Sequence, residues 1–258
     1  MNRSTIGQVA RQLRQLGVRS GGVLLVHTSF RAVGPMDGGP VGLIKALRIA
    51  VGVSGTIVMP TMTDGETVFD RHSTPTVGMG ITADTFWRLP GVVRSDHPTA
   101  SFAADGPLAE IICAPQPLSP PHGTDSPPGR VLSLGGQVLL LGVGHSESTL
   151  MHVIEALACV PYAVSYPCKI QANGCVESVD IVETDHCCRR FVHVDDWLRA
   201  RSMQYEGVVG NAHARLMSSS NLAFVSVSYL QENRLIFLCE PHMRCLECDR
   251  ARASVPSG

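Results

Sequence analysis

The stretch from Gly21 to Met59 constrains the fold more than any other part of the chain, because its hydrophobic pattern changes twice within it. Val23 to Val26 is a short continuous apolar run behind Gly21-Gly22. A glycine-rich turn follows at Gly34, Gly38 and Gly39, then Pro40 opens a helix, and Thr56 to Met59 is a second apolar run. Short unbroken apolar runs bounded by turn residues predict strands covered on both faces, and proline is preorganised for the first turn of a helix. Strand, crossover helix and second strand make a βαβ unit, which implies parallel pairing under a layer of helices.

Upstream, Thr5 with Gln8 predicts a capping box, and Ile6, Val9, Leu13 and Leu16 recur at helical spacing until Gly17. Downstream, a helix is expected over Thr82 to Leu89, a strand over Val92 to Arg94 and a helix from near Pro107. A strand over Gln137 to Gly142 and a helix from about Ser148 follow. Beyond Pro161 the pattern becomes a hairpin turning at Asn173-Gly174, a helix from near Asp185 and further short strands. The expected class is α/β: a mixed, largely parallel central sheet flanked by helices, with a smaller C-terminal α+β portion packed on it. No flexible linker marks the change near Tyr162, so residues 1–258 are read as one domain. Two long polar connections, Met62 to Gly80 and Pro115 to Gly129, stand out, because loops of such length are usually functional.

A net charge of -1 supplies no basic excess for phosphate backbones, so nucleic acid is not an expected partner. No apolar run is long enough to cross a membrane, and Met1 to Gly22, with Arg3, Arg11, Arg14 and Arg19, has no signal-peptide core. The nine cysteines are an odd set, several inside apolar stretches (Cys113, Cys159, Cys239), which points to a reducing, cytoplasmic setting.

Four segments carry candidate chemistry. On the helix after Gly142-Val143-Gly144-His145, Leu150, Ile154 and Leu157 share one face while His152, Glu155 and Cys159 share another. A carboxylate-oriented imidazole is suited to general-base work; a structural pair is the alternative. The first strand ends in His27, Thr28, Ser29, Phe30 and Arg31, where α/β sheets bind ligands and where hydroxyls, N–H groups and Arg31 could hold a pyrophosphate or pantetheine arm. Asp64, Glu66 and Asp70, and Asp180, Glu183 and Asp185, form two acidic groups that suit a polycation, or are solvated loop charge. His186, Cys187 and Cys188, with Cys245 and Cys248, have spacings that a structural zinc could use. Packing cysteines are the alternative, since Cys187 continues the apolar stripe Phe191, Val194, Leu198.

Three ordered stretches, LLVHTSFRAVGPMDGGPVGLIKAL with IVMPTMT, RSDHPTASFAADGP and LLLGVGHSESTLMHVIE, resemble the aminoglycoside 3-N-acetyltransferase family, and the resemblance continues through DHCCRRF and CLECDRAR. It implies acetyl-CoA as donor, the 3-amino group of a deoxystreptamine ring as acceptor, and a fold distinct from the common N-acetyltransferase superfamily. His152, with Glu155 in its motif, matches the catalytic histidine. His27 to Arg31 and Ser95, His97, Pro98 and Thr99 match coenzyme-facing stretches, and Glu183 and Asp185 match acidic positions of the aminoglycoside pocket. The sequence departs from the family at Asn211, where a histidine is expected, and in the loop of Asp64 and Glu66. Direct transfer with His152 as base is expected, with Cys159 as the candidate for a covalent route. A zinc hydrolase is disfavoured, since no HExxH occurs.

Overall fold

The structure, a computed structural model, describes residues 3–172 and 174–256. Its first strands are β1 (Val23–Thr28), β2 (Thr56–Pro60), β3 (Val93–Arg94), β4 (Phe102–Asp105) and β5 (Gln137–Leu141). The later ones are β6 (Val164–Ala172), β7 (Cys175–Glu183), β8 (Tyr205–Val209) and β9 (Ala212–Ser218). Seven of them form one sheet in the order β3-β4-β2-β1-β5-β9-β8. β1 pairs in parallel with β2 on one side and β5 on the other, as the βαβ pattern predicts. The flanks are antiparallel, so the sheet is mixed with its parallel part confined to these three central strands.

Helices cover both faces, which explains why β1 and β5 are unbroken apolar runs. Leu24, Val26, Leu139 and Leu141 enter one core with helices Ile6–Leu16 and Gly39–Val51. Val23, Leu25, Val138 and Leu140 enter the other with Leu150–Leu157, His193–Arg199 and Ser219–Glu232. Alternate side chains of a strand point to opposite faces, so each run supplies both layers, at about 1.5–3 kcal/mol per fully buried aliphatic side chain. The Thr5–Gln8 capping box is present, and Gly17 closes that helix at φ 112, a left-handed conformation that glycine adopts without steric cost.

Several expectations change. β8 and β9 extend the main sheet through β5, so the C-terminal half completes it; among the described residues only the β6–β7 hairpin stands as a separate two-stranded sheet. Asn173 lies outside the described residues, while Ala172 pairs with Cys175 across the turn. No helix starts near Asp185: Cys188 sits at φ 57, and helical backbone begins as a 3-10 turn at Arg189–Val192 that runs into His193–Arg199. Phe191, Val194 and Leu198 are buried as the stripe predicts, but Cys187 and Cys188 precede it in a loop. The helix of His152 ends at Leu157, which is exposed; Cys159 lies beyond it at φ 51, off the His152 face.

Candidate active site

Helix Leu150–Leu157 puts His152 and Glu155 one turn apart, and Glu155, though charged, is fully buried. A buried carboxylate persists only with donors around it. Glu155 has three: His152 Nδ1 at 2.9 Å, His186 Nε2 at 2.7 Å and the Tyr162 hydroxyl at 2.5 Å. Burial pushes its carboxyl up, but the two histidines hold it down at about 2. His186 Nδ1 accepts the backbone N–H of Cys188 at 3.0 Å, so its other nitrogen donates to Glu155. With Nδ1 of His152 donating to Glu155, Nε2 is left as the basic atom, and the Cys188 sulfur lies 3.5 Å from it. Burial opposes charge on His152, but the Cys188 sulfur and the Glu155 carboxylate more than offset it and raise its pKa well above the ordinary histidine value.

The wall beside His152 is acidic. Glu183, at the end of β7, accepts from His122 Nδ1 at 3.1 Å, and the His122 ring lies 5.5 Å from that of His152. Burial pulls the Glu183 carboxyl up, while His122 brings it below the ordinary range. Asp185 is exposed at the rim; crowding by surrounding protein and the charge of Glu183 both raise its pKa. Thr99 Oγ1 lies 3.0 Å from the Tyr166 hydroxyl on β6, the strand paired with β7. Asp64 and Glu66 are exposed on a loop that is anchored where Lys169 N donates to Gly65 O, and a Cβ on Gly65 would come within 2.9 Å of Thr99.

A second feature opens at the carboxyl ends of β1 and β2, where β1 leads on to β2 on one side while its other neighbour, β5, leads away on the other. Here a cleft of about 250 Å³ is lined by His27, Thr28, Ser29, Pro60, Gly80 and Thr149, among others. Gly142, at φ 72 after β5, has Ala32 2.5 Å from where a Cβ would stand, so this close approach of the end of β5 to the short helix Phe30–Val33 requires glycine. His27 is neutral, because burial and then nearby His145 lower its pKa to about 3. The hydroxyl of Thr28, which lines the cleft, is buried without a partner among the described residues, an arrangement that suits a ligand carrying amides. Thr149 lines this cleft at the start of the helix that presents His152 one turn later, so the cleft and His152 adjoin.

The stretches matched to the coenzyme therefore separate. His27, Thr28 and Ser29 line the cleft; Phe30 and Arg31 lie on the short helix that Ser29 caps, with Arg31 exposed. Ser95, His97 and Pro98 do not line it: the Ser95 hydroxyl accepts from Phe102 N, and Pro98 O accepts from the Thr63 hydroxyl. His97 accepts the N–H groups of Thr99 and Ala100 and pairs with Leu118 O. These three shape a loop, and Thr99 joins the acidic wall.

The residues read as one metal set also divide. His186 and Cys188 belong to the Glu155 network, whereas Cys187, Cys245 and Cys248 meet Cys239, a residue that the spacing did not single out. His122, Tyr162 and Tyr166 likewise had no local signal beyond His122 lying in the flagged Pro115 to Gly129 loop.

The chain is similar to several known proteins. Aminoglycoside N(3)-acetyltransferase IV of Salmonella sp is 51% identical over 242 residues, 92% of each chain. The apoenzyme structure of aminoglycoside acetyltransferase AAC(3)-IVa superposes with a TM-score of 0.96 at 48% identity over 99% of each chain, and a histidine-to-alanine mutant of it has been crystallised with a gentamicin. AAC-IIIb, solved as a binary complex with CoASH, superposes at 0.82 with 25% identity over 90% of this chain and 97% of its own. The profile described as aminoglycoside 3-N-acetyltransferase matches residues 25–231, and with these relatives it establishes that the chain belongs to the aminoglycoside 3-N-acetyltransferase family.

Proposed function

We propose that the protein transfers the acetyl group of acetyl-CoA directly to the 3-amino group of a deoxystreptamine-containing aminoglycoside, with His152 as general base. The observation that carries this reading is the imidazole held on a fully buried carboxylate, with its basic Nε2 turned away from that carboxylate. An aminoglycoside amine is mostly ammonium at neutral pH and cannot attack a thioester until it loses a proton. His152 Nε2 takes that proton, the amine nitrogen bonds to the thioester carbonyl carbon, and the carbon–sulfur bond breaks as the second proton lost by the nitrogen passes to the departing sulfur, releasing coenzyme A as its thiol. Glu155 stabilises the imidazolium that forms, as the carboxylate of a catalytic triad does.

The cleft at the end of β1 supports the donor assignment, with the Thr28 hydroxyl available to the pantetheine arm, and the CoASH complex of AAC-IIIb is consistent with it. Glu183 and Asp185, with Asp64 and Glu66 further out, would receive the acceptor's ammonium groups, in keeping with the gentamicin complex of AAC(3)-IVa. Among the described residues no helix is long and apolar enough to cross a membrane. All nine cysteines are free and five of them are buried, which supports action in the reducing cytoplasm. The test is coenzyme A thiol release across a panel of aminoglycosides, with the acetylated position read by NMR. Acetylation at the 3-amino group is expected; acetylation only elsewhere, or turnover only of simple amines, would overturn the assignment.

The Cys188 sulfur 3.5 Å from His152 Nε2 favours one second reading, in which Cys188 is acetylated first and the amine then displaces it. It replaces Cys159 as the covalent candidate, because Cys159 lies beyond the helix and its thiol donates to Leu157 O. Mass spectrometry of enzyme mixed with acetyl-CoA alone separates the readings: direct transfer leaves Cys188 unmodified.

A further inference from the structure

Between the C-terminal helix Leu246–Ala253 and the loop before Arg189, a small third core is built largely from cysteine. Cys187, Cys239, Cys245 and Cys248 place their sulfur atoms within 4.8 Å of one another, with Cys187 at 3.4 Å from Cys239 and 3.5 Å from Cys248. Zn–S bonds of about 2.3 Å in a tetrahedron put sulfur atoms about 3.8 Å apart, so the four occupy nearly the volume of a closed thiolate site. Cys239, Cys245 and Cys248 are at most 7% exposed. Cys245 and Cys248 come from one CxxC turn, in which Asp249 N donates to Cys245 O as the helix starts. Four converging thiols gain little as packing groups, since each is a weak hydrogen-bond partner for the others. A divalent cation would replace these contacts with four bonds. Arg252, which donates to Cys239 O at 2.6 Å, sets a positive charge beside the thiolate cluster.

We propose that Cys187, Cys239, Cys245 and Cys248 bind a structural zinc ion that ties the 184–188 loop to the C-terminal segment. The consequence reaches the active site. Cys187 lies between His186, which holds Glu155, and Cys188, which faces His152. Tyr162 packs in the same small core and sends its hydroxyl to Glu155. Zinc would fix the loop and the tyrosine together, so it acts as a positioning element and takes no part in acetyl transfer. The proposal does not depend on the identity of the donor or the acceptor.

The test begins with unmodified protein purified without chelators. Elemental analysis should find about one zinc per chain, released as four thiols are titrated with a mercurial, and cobalt exchanged into the site should give the visible and charge-transfer bands of tetrahedral thiolate coordination. Variants then locate it: Cys239→Ser should lower bound zinc by about tenfold or more, whereas Cys188→Ser and Cys159→Ser should retain it in full. Wild-type protein that carries no zinc and takes up neither zinc nor cobalt, or in which these cysteines prove to be disulfides, would overturn the proposal. So would loss of metal in Cys188→Ser with retention in Cys239→Ser, which would move the site to the His152, His186 and Cys188 group.

Discussion

Glu155→Gln is the substitution in which the structure makes the sharpest demand, because the carboxylate accepts from three donors at once and has no contact with solvent. Its fall from the ordinary 4.5 to about 2 corresponds to roughly 3 kcal/mol of preference for the charged form. A glutamine keeps the size but turns one acceptor oxygen into a donor, which must face either His152 Nδ1 or the His186 and Tyr162 pair. Stability should drop by about 1–3 kcal/mol, the cost of leaving a buried donor without its acceptor. A carboxylate depressed in the fold contributes stability that is complete above its unfolded value and disappears as pH falls toward about 2. The mutant should therefore lose less stability than wild type on acidification through that window. Turnover should fall by about 100- to 10,000-fold, as when a triad carboxylate is neutralised. The rising limb of rate against pH should also move to lower pH, since one of the groups that raise His152 has lost its charge. Stopped pH profiles and denaturant melts read both effects. Near-normal turnover with an unmoved limb would refute the role given to Glu155, and a loss of rate without any movement of the limb would reduce it to packing.

Three further outcomes follow from the site. Glu183→Gln and Asp185→Asn should each weaken acceptor affinity by about 1–3 kcal/mol and flatten its salt dependence while leaving acetyl-CoA affinity unchanged, measured by calorimetry at two ionic strengths. Thr28→Val removes a hydroxyl that is buried without a partner, so it should leave stability equal or higher yet weaken acetyl-CoA by about 1 kcal/mol; a loss of stability would mean the hydroxyl is already satisfied. Cys188→Ala should keep turnover within about tenfold of wild type if transfer is direct and shift the pH limb downward, whereas complete loss would favour the acetylated cysteine.

The parallel centre of the fold was legible because β1, β2 and β5 are covered on both faces, which leaves an unbroken apolar run that few other structures produce. β4, with its small residues Ala103 and Ala104, offered no such run, and the serine-rich helix Ser219–Glu232 hid its buried face. His152 and Glu155 were readable as a pair because one helical turn separates them. Their other partners were not: His122, Tyr162 and His186 arrive from loops and strand ends, where no period reports on direction. The helix expected near Asp185 failed for a related reason. The His186 side chain is committed to Glu155, and the left-handed backbone at Cys188 turns the chain before the buried stripe begins at Phe191. Cys239 closes the apolar segment Ile236-Phe237-Leu238, where a sulfur ligand and a core residue look alike.

The proposed function turns on His152 acting on the acceptor amine and not on the donor. The most direct measurement is paired: steady-state turnover of His152→Ala with an aminoglycoside, and calorimetric binding of acetyl-CoA to the same protein. A base that acts on the amine leaves turnover in the mutant lower by about 100-fold or more, with the pH limb abolished and acetyl-CoA affinity within a few-fold of wild type. Turnover near that of wild type, or its loss only in step with acetyl-CoA binding, would contradict it.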